Sequence, residues 1–314
     1  MDFEEEHMEA PNPFTERGVI RDPKRFFGRK RELKQTFERL AAMQSVSIVG
    51  ERRIGKSSLL TTIAATGSET LGKEFEFHYV DLQLVENTED FIARVLDALE
   101  AEGETIRDLE RAIENRKVIL CLDEFERARN FSKDFSSMLR GMASTGHLAL
   151  VTASQKKLAD LAGDVTTSPF FNIFTSLRLV ELDEAESGEL LNGLGQLAGR
   201  TFSADEISAA YAETKGNPWK LQIFGYHLFE TGNLAAARER YQKEMSSSVP
   251  RGVSQPRRAG SQLSAALLVG AAIIGFISIV LNLIVPGMII ALVLLLLSFL
   301  IEGWRGLRQR GATP

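Results

Sequence analysis

Hydrophobic and polar positions along the first 183 residues follow the pattern of alternating strands and helices. Short apolar runs predict five strands, at residues 45–49, 75–82, 118–122, 147–152 and 177–182. The amphipathic stretch 87–100 between two of them predicts a helix with one apolar face. The run 118–122 is apolar throughout, as expected of a strand buried on both faces of a parallel sheet. We therefore predict an α/β fold with ligands at the carboxyl edge of a parallel five-stranded sheet.

The pattern changes twice after residue 183. It is purely helical as far as about residue 245, which predicts a small all-α domain. Residues 259–301 contain no charged side chain, and this run is about twice the ~20 apolar residues that one spanning helix needs. Asn282, Pro286 and Gly287 near its middle favour a turn. We predict two transmembrane helices joined by that turn.

These patterns predict six segments. They are an extended arm (1–24), an α/β core (25–183), a helical domain (184–246), a linker (247–260), a transmembrane hairpin (261–302) and a basic tail (303–314). Three arginines precede the first apolar span and three follow the second. By the positive-inside rule both ends of the hairpin, and with them the core, face the cytoplasm. The expected location is the cell membrane.

Charge and cysteine content narrow the functional classes. The six arginines of residues 251–314 outnumber their one acid by five, and the whole chain carries −5, so residues 1–250 carry −10. An acidic globular part argues against general nucleic-acid binding. The lone Cys121 excludes an internal disulfide, and its apolar surroundings predict a buried filler. The four histidines have no spacing that suits a metal site.

The strongest chemical motif is GxxxxGK[ST] at residues 50–57, between a predicted strand and a predicted helix. Gly50 and Gly55 let the backbone wrap a phosphate at a helix N-terminus, where anions are favoured. Lys56 supplies a positive charge for the β- and γ-phosphates, and the Ser57 hydroxyl can ligate magnesium. ATP with Mg²⁺ is the expected ligand. Arg53 within the motif and Ser58 directly after it complete the predicted nucleotide-binding set.

A second motif is the acidic pair at the end of the apolar run 118–122. Asp123 is placed to hold magnesium, and Glu124 is the candidate general base that polarises the attacking water. Lys56, Asp123 and Glu124 are therefore the predicted catalytic residues, and Ser57 and Asp123 the predicted metal ligands. Adjacent carboxylates favour hydrolysis over binding alone.

Four motifs in order resemble one group of proteins. Residues 26–33 (FFGRKREL) resemble the hhGRxxE motif of STAND and origin-recognition-type ATPases, which are AAA+-like P-loop NTPases. The P-loop with its Glu-Arg-Arg insert and residues 122–126 (LDEFE) look like the archaeal-type branch. Residues 216–219 (GNPW) are similar to the GxP motif of the helical lid. The resemblance covers about residues 13–234 and makes the helical domain a lid.

The resemblance implies further nucleotide contacts. Gly28 and Arg29 become candidates for adenine-side or phosphate contact, and Pro218 for contact with the base or ribose from the lid. For Arg29 the alternative is a charge that caps the following helix. For Pro218 it is a plain helix boundary, because proline suits a first helical turn.

One position departs from the resemblance. Related proteins often end the strand after Walker B with Ser-Arg, whereas this chain has Ser154-Gln155. A glutamine offers no charge to the γ-phosphate, so Thr152 or Ser154 is the alternative sensor and slow turnover is expected. Arg140 is a candidate arginine finger for a neighbouring subunit, and an exposed helix-end arginine is the alternative.

These observations predict a membrane-anchored, ATP-hydrolysing switch. The STAND resemblance implies signalling, for example in stress or phage defence. Besides the nucleotide and the membrane, the expected partners are further copies of this chain, in a homo-oligomer, and a protein of unknown identity. A non-hydrolysing membrane scaffold is the first alternative. A nucleic-acid-handling ATPase is the second, and the −10 charge of residues 1–250 argues against it.

Removal of residues 259–314 tests the predicted architecture. The truncated chain should be soluble without detergent and still bind ATP, because every predicted phosphate-handling residue precedes position 219 and the hairpin can satisfy its backbone in lipid alone. Nucleotide titration and gel filtration measure both properties. A truncated chain that aggregates or loses ATP binding would show that the apolar run belongs to the globular part.

Overall fold

The computed structural model describes residues 11–156 and 172–248. Its strands are β1 (Ser45–Val49), β2 (Phe75–Asp81), β3 (Lys117–Asp123), β4 (Leu148–Ser154) and β5 (Phe174–Arg178). Its helices are α1 (Lys30–Ala41), α2 (Lys56–Leu71), α3 (Thr88–Ala98), α4 (Ile106–Ile113), α5 (Lys133–Ser144), α6 (Glu184–Leu197), α7 (Ala204–Thr214), α8 (Pro218–Thr231) and α9 (Leu234–Ser248). Two 3₁₀ turns, Pro23–Arg25 and Phe125–Asn130, complete the described elements.

The five described strands form one parallel sheet in the order β2-β3-β4-β1-β5. This order confirms the predicted parallel five-stranded sheet. The strand before the P-loop, β1, pairs with β4 and β5, and β3 lies on the other side of β4. Because all strands run the same way, the P-loop, Asp123 and Ser154 all lie at the carboxyl edge. The register pairs Val49 with Ser154 and Asp81 with Asp123.

Two apolar layers cover the faces of the sheet. Alternate residues of β3 point to opposite sides, so Leu120 packs with α3, α4 and α5, whereas Cys121 packs with α1 and α2. Cys121 is a buried free thiol. A third apolar cluster holds α6–α9 together. These four helices are called the lid below.

Local capping explains where several helices begin. Side chains of Asn87, Ser132 and Asn217 accept hydrogen bonds from backbone amides of the first turns of α3, α5 and α8. The helix α4 was not predicted, although its signal is in the sequence: Thr105 and Asp108 form a capping box in which each side chain bonds the other's backbone amide.

The last strand lies earlier in the chain than predicted. It spans Phe174–Arg178 rather than residues 177–182. Two of the apolar residues that suggested the later range, Leu179 and Leu182, are buried, whereas Val180 is 48% exposed. The amide of Leu179 donates to the carbonyl of Val49 at the end of β1 at 2.8 Å, and that of Leu182 to the carbonyl of Gly216, between α7 and α8, at 2.9 Å. At the edge of the described sheet β5 is only partly buried, which accommodates its polar residues.

The described part of the arm, residues 11–24, lies between the lid and α2. The Phe14 ring is fully buried in the lid cluster, and Asn12 donates to the carbonyl of Tyr226 in α8 at 3.0 Å. Further along, the amide of Ile20 donates to Ser58 Oγ at 3.0 Å, and Thr61 Oγ1 donates to the carbonyl of Ile20 at 2.8 Å. The arm thus joins the lid to the first turns of α2.

The chain divides into two compact units, Met1–Met245 and Ser246–Pro314. Within residues 11–156 and 172–248 no helix is long and apolar enough to cross a membrane. The predicted hairpin, 261–302, and the tail, 303–314, lie outside the described residues.

The contact between Phe14 and the lid gives a stability prediction. Phe14→Ala should lower the free energy of unfolding by about 3–5 kcal/mol, because it empties a fully buried aromatic site. Chemical denaturation measures the change. The matched control, Leu197→Ala, removes a side chain that is 53% exposed and should stay within about 0.5 kcal/mol. Equal effects of the two substitutions would contradict the packing of the arm into the lid.

Candidate functional site

A cavity of about 610 Å³ opens at the carboxyl edge of the sheet. Its walls come from the P-loop, the ends of β3 and β4, arm residues 16–20 and the lid helix α8. The volume falls in the range of small-molecule sites, about 300–1,000 Å³. Ligands of parallel α/β sheets bind at this edge, so the cavity is the candidate site.

The P-loop wraps the start of α2 as the sequence predicts. Gly55 has a φ of 95° and caps α2, a backbone conformation that glycine adopts without strain. A Cβ on Gly50 would lie 2.9 Å from a side-chain carbon of Ile54 and 3.0 Å from the carbonyl oxygen of Leu179, so the loop needs glycine there as well. The free amides of the first turn of α2 offer donors to an anion.

The Lys56 ammonium lies across this loop. It donates to the carbonyls of Gly50 at 2.9 Å and Glu51 at 2.8 Å. Burial lowers the pKa of Lys56, while the negative charges of three nearby acids, Glu126, Glu124 and Asp123, oppose that shift. Ser57 lines the cavity beside Lys56. Ser58 is buried, lines the cavity and accepts the hydrogen bond from Ile20.

The acidic residues after β3 face the same cavity. Asp123 is buried; its Oδ2 accepts from the Tyr79 hydroxyl at 2.9 Å and its Oδ1 from the amide of Glu124 at 2.9 Å. These bonds fix the carboxylate while leaving acceptor capacity for a further partner. Burial, and the proximity of Asp123 through both charge and hydrogen bond, raise the pKa of Tyr79, so this hydroxyl stays a donor.

Glu124 is exposed, and its backbone lies in the left-handed region with a φ of 50°. Desolvation, followed by repulsion from Glu126 and Asp123, raises the pKa of Glu124; the charge of Lys56 opposes the shift. A carboxylate with a raised pKa is a better proton acceptor. The Glu126 carboxylate accepts from the amide of Gln155, so it links the end of β3 to the end of β4.

The lid contacts the P-loop directly. The Arg53 guanidinium lies over the Trp219 ring, 3.9 Å from its centroid, which is a cation–π geometry. Pro218 is next to Gly55: a Cβ on that glycine would lie 3.8 Å from Pro218 Cγ. Arg53 and Pro218 both line the cavity.

The predicted nucleotide contacts at residues 28 and 29 have other partners in the described structure. Arg29 is buried, with a guanidinium that donates to the carbonyls of Ile54 at 3.3 Å and of Val180 and lies 3.5 Å from Glu32 Oε1. It therefore stabilises the P-loop, and it also lines the cavity. Gly28 packs near Leu182 and Glu186 and is not among the lining residues. Nucleotide contact by either residue stays a prediction.

Residues at the end of β4 differ in their access to the cavity. Ser154 and Gln155 line it, and Ser154 Oγ donates to the carbonyl of Lys156 at 2.7 Å. Thr152 is fully buried in β4 and is not a lining residue. Arg140 lies on α5, half-buried and away from the cavity wall; its proposed action on a neighbouring subunit stays a prediction.

Three lining or supporting residues escaped the sequence analysis. Tyr79 precedes the pairing partner of Asp123 by two positions on β2, so only the sheet register places it beside that carboxylate. Glu126 follows the acidic pair as another acid in LDEFE. Gln222 lies one helical turn after Pro218 on α8, and that spacing was the available signal.

Comparison with known proteins agrees with this geometry. The sequence profile of the family described as novel STAND NTPase 1 matches residues 13–246. The chain belongs to this STAND family. The match spans the arm, the core and the lid, so the family assignment covers every part of the cavity wall. A search of curated proteins gave no significant match.

Several solved structures are similar in fold to this STAND chain. A Walker-type ATPase of Pyrococcus abyssi superposes with a TM-score of 0.59 at 17% identity, covering 75% of this chain and 76% of the other. The ORC2 protein of Aeropyrum pernix, solved in ADPNP–ADP complexes, gives 0.60 at 15% identity, covering 77% and 73%. Cdc6p of Pyrobaculum aerophilum gives 0.53 at 14% identity, covering 74% and 70%. At these identities the likeness shows the fold.

Proposed function

We propose that this chain binds ATP with Mg²⁺ in the cavity and hydrolyses it, and that the nucleotide controls the position of the lid. The observation that carries the proposal is the placement of Lys56, at the N-terminus of α2, opposite Asp123 and Glu124 in one cavity. Membership of a STAND NTPase family supports nucleotide binding.

The residues present fit a triphosphate and its metal ion. The amides of the P-loop and the Lys56 ammonium, now bonded to two backbone carbonyls, can turn to phosphate oxygens. Ser57 and Asp123 supply a hydroxyl and a carboxylate, the oxygen ligands that Mg²⁺ accepts alongside phosphates and water. When bound, the ion neutralises charge that develops on the phosphates. Tyr79 holds the Asp123 carboxylate in place for this role.

Glu124 is the group that would activate water. Its carboxylate takes a proton from a water molecule as the water oxygen bonds to the γ-phosphorus. The bond from that phosphorus to the bridging oxygen breaks, and ADP leaves with the electron pair. Lys56 stabilises the charge on the transferred group. With Gln155 where relatives have arginine, this chain has less positive charge at the γ-phosphate, so slow turnover is expected.

The Arg53–Trp219 contact suggests how nucleotide state reaches the lid. Phosphates entering the P-loop compete for the Arg53 guanidinium, which now lies on the lid's Trp219. Nucleotide binding would therefore change the contact between the core and the lid. The arm would move with the lid, because Phe14 is buried in the lid cluster. We infer a switch that changes self-association or binding of a protein partner. The apolar run 261–302 would hold this switch at the cytoplasmic face of a membrane, with two spans.

A non-hydrolysing scaffold is the second candidate. The neutral Ser154-Gln155 pair favours it, because a γ-phosphate read without charge can be bound and not cleaved. Turnover by the purified protein separates the two candidates.

Paired substitutions after β3 test the catalytic assignment. Asp123→Asn should weaken Mg²⁺-dependent ATP binding, whereas Glu124→Gln should spare binding and lower the turnover rate by about 10²–10⁴-fold, the range for a lost general base. Because the pKa of Glu124 is raised, this carboxylate takes up a proton at a higher pH than an ordinary glutamate does. As the pH is lowered, turnover of the parent should therefore begin to fall at that higher pH. Titration with ATP and Mg²⁺ measures binding by the two variants. Phosphate release, measured against pH, gives their turnover rates and the pH dependence of the parent. Turnover at the parent rate in both variants would contradict the assignment.

A further inference from the structure

Gln222 carries a polar group that the core of the protein leaves unsatisfied. The side chain is only 4% exposed, yet neither its amide oxygen nor its amide nitrogen has a hydrogen-bond partner within the described residues. Leaving such a buried group unpaired costs about 1–3 kcal/mol. Gln222 also forms part of the cavity wall, so a ligand in the cavity is the available source of partners.

The position of Gln222 on α8 indicates which part of the ligand it meets. Pro218, four residues earlier and on the same helix face, lies against Gly55 of the P-loop. Gln222 therefore lies about one helical turn, ~5.4 Å, along α8 from the residue that contacts the P-loop. Besides its charged residues, the cavity is lined by apolar side chains: Val19 and Ile20 of the arm, Phe27, Leu182 and, from the lid helix α6, Leu190. Apolar side chains together with one unpaired amide suit a nucleobase.

On the edge of the base that carries N7, the chemistry of an amide favours adenine. A glutamine amide can donate to N7 of adenine and accept from its 6-amino group, a bidentate pair. On the same edge guanine offers two acceptors, N7 and O6, which leave the amide oxygen unpaired. The Glu16 carboxylate also lines the cavity, and a carboxylate would instead suit the donors of guanine. Its Oε2 has no hydrogen-bond partner within the described residues, but its Oε1 is engaged by Arg25 at 2.8 Å and its side chain is 31% exposed, whereas Gln222 is buried and both of its amide atoms are unpaired.

We propose that Gln222 is the specificity-determining residue of the site: from the lid it reads the edge of the base and selects adenine over guanine. This inference rests on the proposed function, because it needs a nucleotide in the cavity. The contact between the lid and the core then depends on the base as well as on the phosphates, because Gln222 lies on the same helix as Trp219.

Three ligands separate base reading from phosphate binding. Dissociation constants are measured on the full chain, with detergent present, for the imido analogues of ATP and GTP and for inorganic tripolyphosphate, each with Mg²⁺. Gln222→Met removes the amide at nearly constant volume. Lys220→Met is the matched control, because it lies on the same helix and outside the cavity wall.

The parent should bind the ATP analogue more tightly than the GTP analogue. Gln222→Met should weaken the ATP analogue about 10- to 100-fold, which corresponds to the ~1–3 kcal/mol of one bidentate amide–base pair, and should leave tripolyphosphate unchanged. Its thermal midpoint without ligand should equal or exceed that of the parent, because an unpaired buried amide is lost. Lys220→Met should match the parent throughout.

Other results would overturn the inference in distinguishable ways. If Gln222→Met leaves the preference for the ATP analogue intact, the amide does not read the base. If the parent prefers the GTP analogue and Glu16→Gln removes that preference, Glu16 is the reader. Should Gln222→Met fail to fold, Gln222→Leu and Gln222→Asn give the same comparison. If the parent binds neither analogue nor tripolyphosphate, the proposed function fails, whatever Gln222 does.

Discussion

The hydrogen bonds from Lys56 to the carbonyls of Gly50 and Glu51 stabilise the P-loop, and the rest of the site is arranged around this loop. An ammonium that is withdrawn even partly from water is costly unless it is paired, and for the half-buried Lys56 the backbone of the P-loop and the nearby acids together supply the partners. The loop can take that shape because Gly55 turns left-handed and Gly50 has no side chain. Strand β1, buried along its whole length, fixes where the loop begins. A phosphate chain would replace backbone carbonyls as the partner of Lys56 without moving the strand.

Arm, core and lid meet around this loop, so the cavity is a shared surface of all three. Arg29 stabilises the loop through hydrogen bonds to the carbonyls of Ile54 and Val180, and Arg53 contacts Trp219 of the lid. The arm bonds α2 at Ser58 and buries Phe14 in the lid. A ligand that changes the loop therefore acts on the lid through few intermediates. This arrangement gives the proposed switch a physical route from the nucleotide to the lid.

The sequence predicted the sheet and the P-loop well because both depend on local patterns. Apolar runs mark buried strands, and the loop's glycines, lysine and serine lie within eight consecutive residues. Prediction from the sequence failed where contacts between distant parts of the chain determine the structure. Leu179 and Leu182 are buried after Arg178, and the amide of Leu182 bonds to the carbonyl of Gly216 and not to a strand, so this segment does not extend β5. Arg29 is held by carbonyls that no motif reveals, and Tyr79 meets Asp123 only through the register of β2 and β3. Gln222 became a candidate only once the cavity wall and its unpaired amide were known.

The most direct test of the central claim is a titration of ATP with Mg²⁺ into the parent protein and into Lys56→Ala, followed by calorimetry. We predict a saturable, magnesium-dependent heat in the parent and its loss in the variant, with the unliganded thermal midpoint of the variant close to that of the parent. Equal ATP affinity in both proteins would contradict it, because the nucleotide would then bind without the P-loop that the whole arrangement serves.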